Sequence, residues 1–405
     1  MPGDLPDLPG DLPDLPADLR DLPAREAHFC LNILRFMENI PGLRLGAKRL
    51  LVAFSGGADS TALLLVLSLL RRKAGFTLLA AHLDHMLRPS SAAEAEYCRR
   101  FCAHAGIACH VGRQDVGGGE AGDGGSGGLG KKAGAARGLE EKARAARYAF
   151  LAGAAAESGA DIIALGHNNN DLAEDVLMRL IRGAGWPGLA GMRASDAERS
   201  LVRPLLYTPR ADIENFLKTL GIRALHDESN TDRRFFRNRV RMDILPLPTA
   251  ENPAFLRAIT ALHMQGEVDR EYFAALTAAA AADVLPSAPA GSRRSPGRQS
   301  SPDAAGPAGP PEPSAASVRP AAGSEGIFIE RRRLEALPKA VRLRLYKRIL
   351  DALGPGQARF FSLAALDAPL QAGRGPATHR FPGGKSAVAG HKGILFSKSE
   401  AKTSS

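Results

Sequence analysis

Between residues 50 and 182 short apolar runs alternate with helix-length amphipathic stretches, and this alternation limits the fold more than any other feature of the chain. Brief apolar runs suit strands buried on both faces. Longer stretches of helical period between them suit crossover helices, and together they specify α/β architecture: a parallel twisted sheet with helices on both faces. Leu50–Phe54, Phe76–Leu83, Ile107–Val111 and Ile162–Gly166 read as strands, with helices expected over 59–72, 91–105, 139–158 and 171–182. Open parallel sheets bind ligands beyond the carboxyl ends of their strands, so chemistry is expected in the residues that follow each apolar run.

The first such run meets this expectation. Leu50–Phe54 is followed by Ser55-Gly56-Gly57-Ala58-Asp59-Ser60, and an apolar helix opens at Thr61. Two glycines allow a sharp turn with inward-facing amides, and the helix start adds partial positive charge, which makes an anion cradle. Ser55 and Ser60 carry hydroxyls for phosphate oxygens, and Asp59 is placed to hold Mg2+ beside them. A polar turn with an ordinary serine cap is the plainer alternative. The lysine of a Walker A loop is missing, which excludes the γ-phosphate chemistry of kinases and GTPases.

Further constellations lie at later junctions. In Ala81-His82-Leu83-Asp84-His85-Met86-Leu87-Arg88, His82 and Asp84 share one strand face towards the loop end of the sheet, a nucleotide-side position for Asp84 or a solvated strand end. Glu140, Glu141, Arg144 and Arg147 fall at helical spacing on 139–148 and are able to form an exposed, internally paired face. The junction Gly166-His167-Asn168-Asn169-Asn170-Asp171-Leu172-Ala173-Glu174-Asp175 puts Asp171 and Glu174 on one face of a first helical turn. That pair suits an ammonium group or simply complements the helix dipole. Residues 233–241, Arg-Arg-Phe-Phe-Arg-Asn-Arg-Val-Arg, hold five arginines and two phenylalanines. This composition suits phosphate contacts and base stacking, or a solvated basic helix.

Composition sets the outer limits. Lys plus Arg exceeds Asp plus Glu by 53 − 43 = 10, a surplus that favours a polyanionic partner. Four irregularly spaced cysteines are too few for a disulfide framework, no secretory signal opens the chain, and the best apolar run, Leu63–Leu70, is too short to span a bilayer. A cytoplasmic protein without membrane association is expected. Residues 1–24 repeat an Asp-Leu-Pro unit and are read as a disordered tail. The main body covers 25–248, with a Gly-rich insertion at 117–138 where eleven of 22 residues are glycine. A helical extension is expected over 249–285, a Pro-rich linker over 286–325 and a small basic accessory domain over 326–400. Its Arg331–Leu334 and Leu337–Arg348 segments show helical apolar spacing with basic residues between, and 381–396 reads as a hairpin-like end.

Taken together, the loop and the later motifs resemble the PP-loop of N-type ATP pyrophosphatases, and within them the tRNA(Ile)-lysidine synthases, over about residues 30–248 and weakly after the linker. The resemblance implies a mainly helical, tRNA-binding accessory domain and no further C-terminal domain of the kind longer relatives have. It implies ATP and Mg2+ as cofactors, and L-lysine and a CAU-anticodon tRNA(Ile) as partners, with a homodimer left open. The implied reaction adenylates O2 of the wobble cytidine, releases pyrophosphate, and joins lysine to C2 with loss of AMP, changing codon reading from AUG to AUA. Residues 55–60 and Asp84 would then bind ATP, Asp59, Arg147 and His167 would be catalytic, and Asp171 and Glu174 would hold lysine. Asn230, Arg233, Arg237, Asn238 and Arg239 would meet tRNA. The chain departs from the family at Asn170, where Asp is usual, at Leu172 for Gln and at Asp175 for Thr. A PP-loop tRNA cytidine thiolase, another tRNA-adenylating enzyme and a non-catalytic basic RNA-binding protein are the alternatives. The thiolase needs paired reactive cysteines, whereas Cys98 and Cys102 sit i,i+4 on an expected helix, where inert packing is the expectation.

Overall fold

A computed structural model of the protein describes residues 14–84, 86, 91–114, 129–225, 232–285, 326–372 and 376–398. Most of the N-terminal repeat, the Gly-rich residues up to 128, the Pro-rich linker and Asn230 lie outside them. The chain divides into two compact units, Met1–Gly266 and Glu267–Ser405.

The first unit opens with α1 (Ala24–Glu38) and β1 (Arg49–Ala53), then alternates α2 (Ala58–Ala74), β2 (Thr77–Asp84), α3 (Ser91–His104), β3 (Ala108–Arg113), α4 (Leu129–Ser158), β4 (Ile162–Ala164) and α5 (Asn169–Ile181). Two short strands, β5 (Ser195–Asp196) and β6 (Leu201–Val202), and α6 (Arg210–Thr219) follow. The sheet order is β3-β2-β1-β4-β6-β5, parallel except for the β5–β6 pair. Alternation along β1 separates its two faces. Leu50 and Val52 join the core made with α1, α2, α3 and α6, while Leu51 packs with Ala81, Leu151, Ala154 and Ile163 beside α4. After β3 the chain crosses β1 to lay down β4, so the order reverses between β1 and β4. At such a switch point the carboxyl ends of neighbouring strands open a crevice.

Three sequence expectations change. The pair β5 and β6 was not foreseen, because two-residue strands have no periodicity to read. Helix α4 begins at Leu129, inside the stretch expected as a Gly-rich insertion. Residues 129–138 contain Leu, Lys, Ala and Arg, and a long helix already nucleated downstream propagates through them despite three glycines. The accessory unit has more sheet than expected: β7 (Gly326–Glu330), β8 (Ala377–Phe381), β9 (Lys385–Gly390) and β10 (Gly393–Lys398) form one antiparallel sheet ordered β7-β10-β9-β8.

A turn α7 (Phe236–Arg239), a π-helical turn Val240–Ile244, α8 (Pro246–Glu251) and the long α9 (Phe255–Val284) close the first unit, whose boundary falls within α9. Besides the sheet, the second unit contains α10 (Arg331–Glu335), α11 (Lys339–Ala352) and α12 (Phe360–Ala372). Its core gathers Ile329, Leu345, Tyr346, Ile349, Leu366 and Phe396. Among the described residues no helix is long and apolar enough to cross a membrane.

Candidate active site

The loop between β1 and α2 lies at the switch point. Gly56 adopts φ +79°, and Gly57 caps α2 with no side-chain hydrogen bond, so no side chain covers the amides of that helix start. Ser60 Oγ closes the turn, accepting from Ser55 N at 3.2 Å and donating to the Gly57 carbonyl at 3.0 Å. Ser55 Oγ stands 3.1 Å from Ser60 Oγ, and Thr61 Oγ1 donates to the Gly56 carbonyl at 3.0 Å. The sequence reading is met in shape: a bent glycine turn, two adjacent hydroxyls and an uncapped helix start.

Across the crevice, two residues beyond β4, lies Gly166, where a Cβ would come within 3.2 Å of the Asp59 carbonyl carbon and Ser60 N. This close approach brings the start of α5 against the start of α2. Asn168 caps α5: its Oδ1 accepts from Asp171 N and its own N–H donates to Asp171 Oδ2, both at 3.0 Å. Its Nδ2 donates to Asp59 Oδ1 at 2.8 Å. Burial and the nearby Asp171 charge push the Asp59 carboxyl above its ordinary range, against the pull of the Asn168 amide.

Asp171 and Glu174 do stand together, as their spacing required, but they are already engaged. Arg237 donates to Asp171 Oδ1 at 2.7 Å and Glu174 Oε2 at 2.8 Å. Arg241 donates to both Glu174 oxygens, at 2.6 and 3.1 Å, and to Asp171 Oδ1 at 3.3 Å. Glu174 is 1% exposed and forms buried ion pairs with both guanidiniums. Burial opposes the charge of Asp171, yet Arg237, the Asn168 amide and Arg241 hold its carboxyl below the usual range. Sequence reasoning assigned Arg237 to tRNA and missed Arg241. The structure turns both inward, because residues 237 and 241 are one helical turn apart and face α5 together.

A cavity of about 350 Å³ opens here, lined by Asn168, Asn170, Asp171, Glu174, Arg210, Arg241, Leu245, Pro246 and Thr249. The three departures from the family pattern have structural places. Asn170 Oδ1 accepts from Arg210 N at 3.1 Å, Leu172 is fully buried, and Asp175 pairs with Arg179 at 2.7 Å.

His167 accepts at Nδ1 from Arg203 Nε at 3.2 Å, so in its neutral form the proton sits on Nε2. Burial, with Arg203, Arg237 and Arg144 nearby, holds its pKa far below that of a free imidazole against the pull of Asp171. Arg203 opens the run Arg203-Pro204-Leu205-Leu206 ahead of α6, and no spacing in the sequence assigns it a role at the site. Arg147 lies on the exposed side of α4, while the charge of Arg144, a turn earlier, reaches His167. Asp84 is 2% exposed; burial opposes its charge, but the Met86 amide, Arg113 and Ser91 keep its carboxyl below the ordinary range. His82 Nδ1 meets the Phe54 carbonyl at 2.9 Å, tying β2 to the base of the phosphate loop.

Towards the surface, Arg233 pairs with Asp243 at 3.1 Å, Arg239 donates to the carbonyls of Arg233 and Arg234, and buried Asn238 donates to the Asp232 carbonyl. Arg182 and Arg239 stack on Phe236 at 5.3 and 5.6 Å. Cys98 and Cys102 are fully buried, as inert packing requires. Burial raises the Cys98 thiol, and a hydrogen bond with Cys109 and burial raise that of Cys102.

The glycine turn, two hydroxyls and uncapped helix start fit a triphosphate. For Mg2+, Asp59 is the carboxylate beside that cradle. Among the described residues no group of three or more His, Cys, Asp or Glu side chains is placed to hold a metal ion.

A PP-loop domain family model matches residues 26–248. The chain is 43% identical over 347 residues to the tRNA(Ile)-lysidine synthase of Nitratidesulfovibrio vulgaris, covering 85% of this chain and 91% of that protein. It is 39% identical over 220 residues to the tRNA(Ile)-lysidine synthase of Pseudothermotoga lettingae, covering 54% and 46%. With the tRNA(Ile)-lysidine synthase of Azoarcus sp. the identity is 37% over 224 residues, again covering 54% and 46%. The chain thus spans most of the first relative and under half of the other two.

Proposed function

This chain belongs to the tRNA(Ile)-lysidine synthase family of PP-loop proteins, and from that premise we propose that it ligates L-lysine to C2 of the wobble cytidine of a CAU-anticodon tRNA(Ile), consuming ATP. One observation carries the reading: the phosphate cradle and a cleft bearing both charge signs share a wall at Asn168, which bonds Asp59 and lines the cleft. In this reading the α2 start and the Ser55–Ser60 turn hold pyrophosphate while cytidine O2 takes the adenylate. Mg2+, held by Asp59 and phosphate oxygens, would neutralise charge on the departing pyrophosphate.

Asp171 and Glu174, with Arg210 and Arg241 on the same cleft, offer both signs to a zwitterion that carries a second amine. A lysine side-chain amine has an ordinary pKa of about 10.4 and must be neutral to attack. Carboxylates alone would hold it protonated. Arg237 and Arg241 cancel that pull, which favours the reactive neutral amine. The surface arginines Arg233 and Arg239 and stacked Phe236, with Asn230 and Asn238 by family position, are assigned to tRNA.

The test incubates the full chain with ATP, Mg2+, radiolabelled lysine and CAU-anticodon tRNA(Ile). Label in the RNA with release of pyrophosphate is expected, and Asp59→Ala should abolish both. Unlabelled RNA with the wild type would overturn the function; undiminished pyrophosphate release by Asp59→Ala would overturn the site.

A further inference from the structure

We infer that Asn168 is a positioning residue that makes nucleotide binding and amino-acid binding interdependent. The inference rests on the reading of the two sites above and deepens it. Asn168 is 1% exposed and divides its amide between them: Nδ2 donates to Asp59 Oδ1 at 2.8 Å, and Oδ1 accepts from Asp171 N at 3.0 Å. Asp171 returns the bond through Oδ2 to Asn168 N, while its Oδ1 receives Arg237 and Arg241, which also clamp Glu174. An unbroken line of hydrogen bonds therefore runs Asp59, Asn168, Asp171, the two arginines and Glu174. Its first member faces the phosphate cradle and its last three line or border the cleft.

Capping alone does not explain the residue. Ser, Thr and Asp cap helix starts about as well as Asn, but ionised Asp has no donor and the hydroxyl of Ser or Thr is one bond too short to cap and reach Asp59 as well. The second bond is the one that requires a carboxamide. Its partner is a carboxylate, and hydrogen bonds to charged groups are the stronger kind. A nucleotide that fixes Asp59 also fixes Asn168 and, through the cap, Asp171. Lysine then meets an ordered carboxylate, and the cost of ordering is met once for two ligands. Linkage makes the effect reciprocal: lysine must tighten nucleotide binding by the same factor.

Calorimetric titration of the full chain tests this without turnover. The probes are L-lysine and, with Mg2+, an ATP analogue bridged by methylene between the α and β phosphates. In the wild type each ligand is expected to tighten the other by about fivefold or more, within the usual range of such couplings. Asn168→Ser keeps a cap oxygen but is one bond shorter, so its hydroxyl does not reach Asp59 Oδ1 as the Asn168 amide does. It should lose about tenfold in analogue affinity and show a coupling factor near one. Asn168→Thr should behave alike and serves if the serine variant is unstable in thermal melts. Full coupling retained in either folded variant would overturn the role of Asn168, as would a wild type that binds both ligands independently. A wild type that binds neither ligand would overturn the site reading and this inference with it.

Discussion

His82 is a buried imidazole bonded to one backbone carbonyl, and its burial makes it a proton-sensitive part of the fold. Burial lowers its pKa from the usual 6.5, against the Phe54 hydrogen bond and the charge of Asp84. A histidine kept neutral in the folded state is protonated more readily when unfolded. The stability it allows is complete above pH 6.5 and declines as pH falls from there towards the folded pKa. Melting temperature measured from pH 7.5 to 4.5 should therefore fall less in His82→Asn than in the wild type; parallel curves would show that His82 titrates normally. Gly56 is constrained twice, by its left-handed φ of +79° and by Leu225, whose Cδ1 would lie 2.6 Å from a Cβ. Gly56→Ala should cost about 1–2 kcal/mol from the backbone alone, and adding Leu225→Ala should recover the part due to contact. Denaturant titration of the single and double variants separates the two.

Among the elements, the segment from α7 through the π-helical turn does two things that its composition does not separate. Five arginines within 233–241 look alike in the sequence, yet Arg237 and Arg241 face α5 while Arg233 and Arg234 face solvent. Arg233→Ala should reduce the salt dependence of tRNA binding by about one phosphate contact, whereas Arg237→Ala should leave that slope unchanged and destabilise the unit by about 2–4 kcal/mol. Filter binding across a salt series and thermal melts read the two effects. Equal slopes for wild type and Arg233→Ala would remove that arginine from the RNA face. The strands around the crevice were legible because buried parallel strands are continuous apolar runs, and the phosphate loop because glycine, serine and aspartate follow one of them. Asn168, Arg203 and Arg241 were not legible. Each acts through a partner more than 30 residues distant in the chain, and no local spacing encodes such a contact.

For the molecule as a whole, each unit has core clusters of its own, which implies two separable stabilities. In the second unit Asp367, fully buried, accepts from Arg342 Nε at 2.7 Å, Arg342 Nη2 at 2.9 Å and the Tyr346 hydroxyl at 3.0 Å. Asp367→Ala would leave a buried guanidinium and phenol without that acceptor, at a cost of about 3–5 kcal/mol. Calorimetry should show one transition moving down and the other unmoved, with binding of the ATP analogue retained; a joint shift of all the heat absorption would mean the units unfold as one. The basic surplus of the chain suits a polyanion, but it does not reveal which arginines are neutralised internally. Gly166 bears on the same limit from another side. A Cβ at Gly166 would press on the backbone of Asp59 and Ser60, so a single added methyl would have to shift the phosphate loop by a few tenths of an ångström. Catalytic competence could then be lost through a spacer while every group that touches a reactant stayed intact.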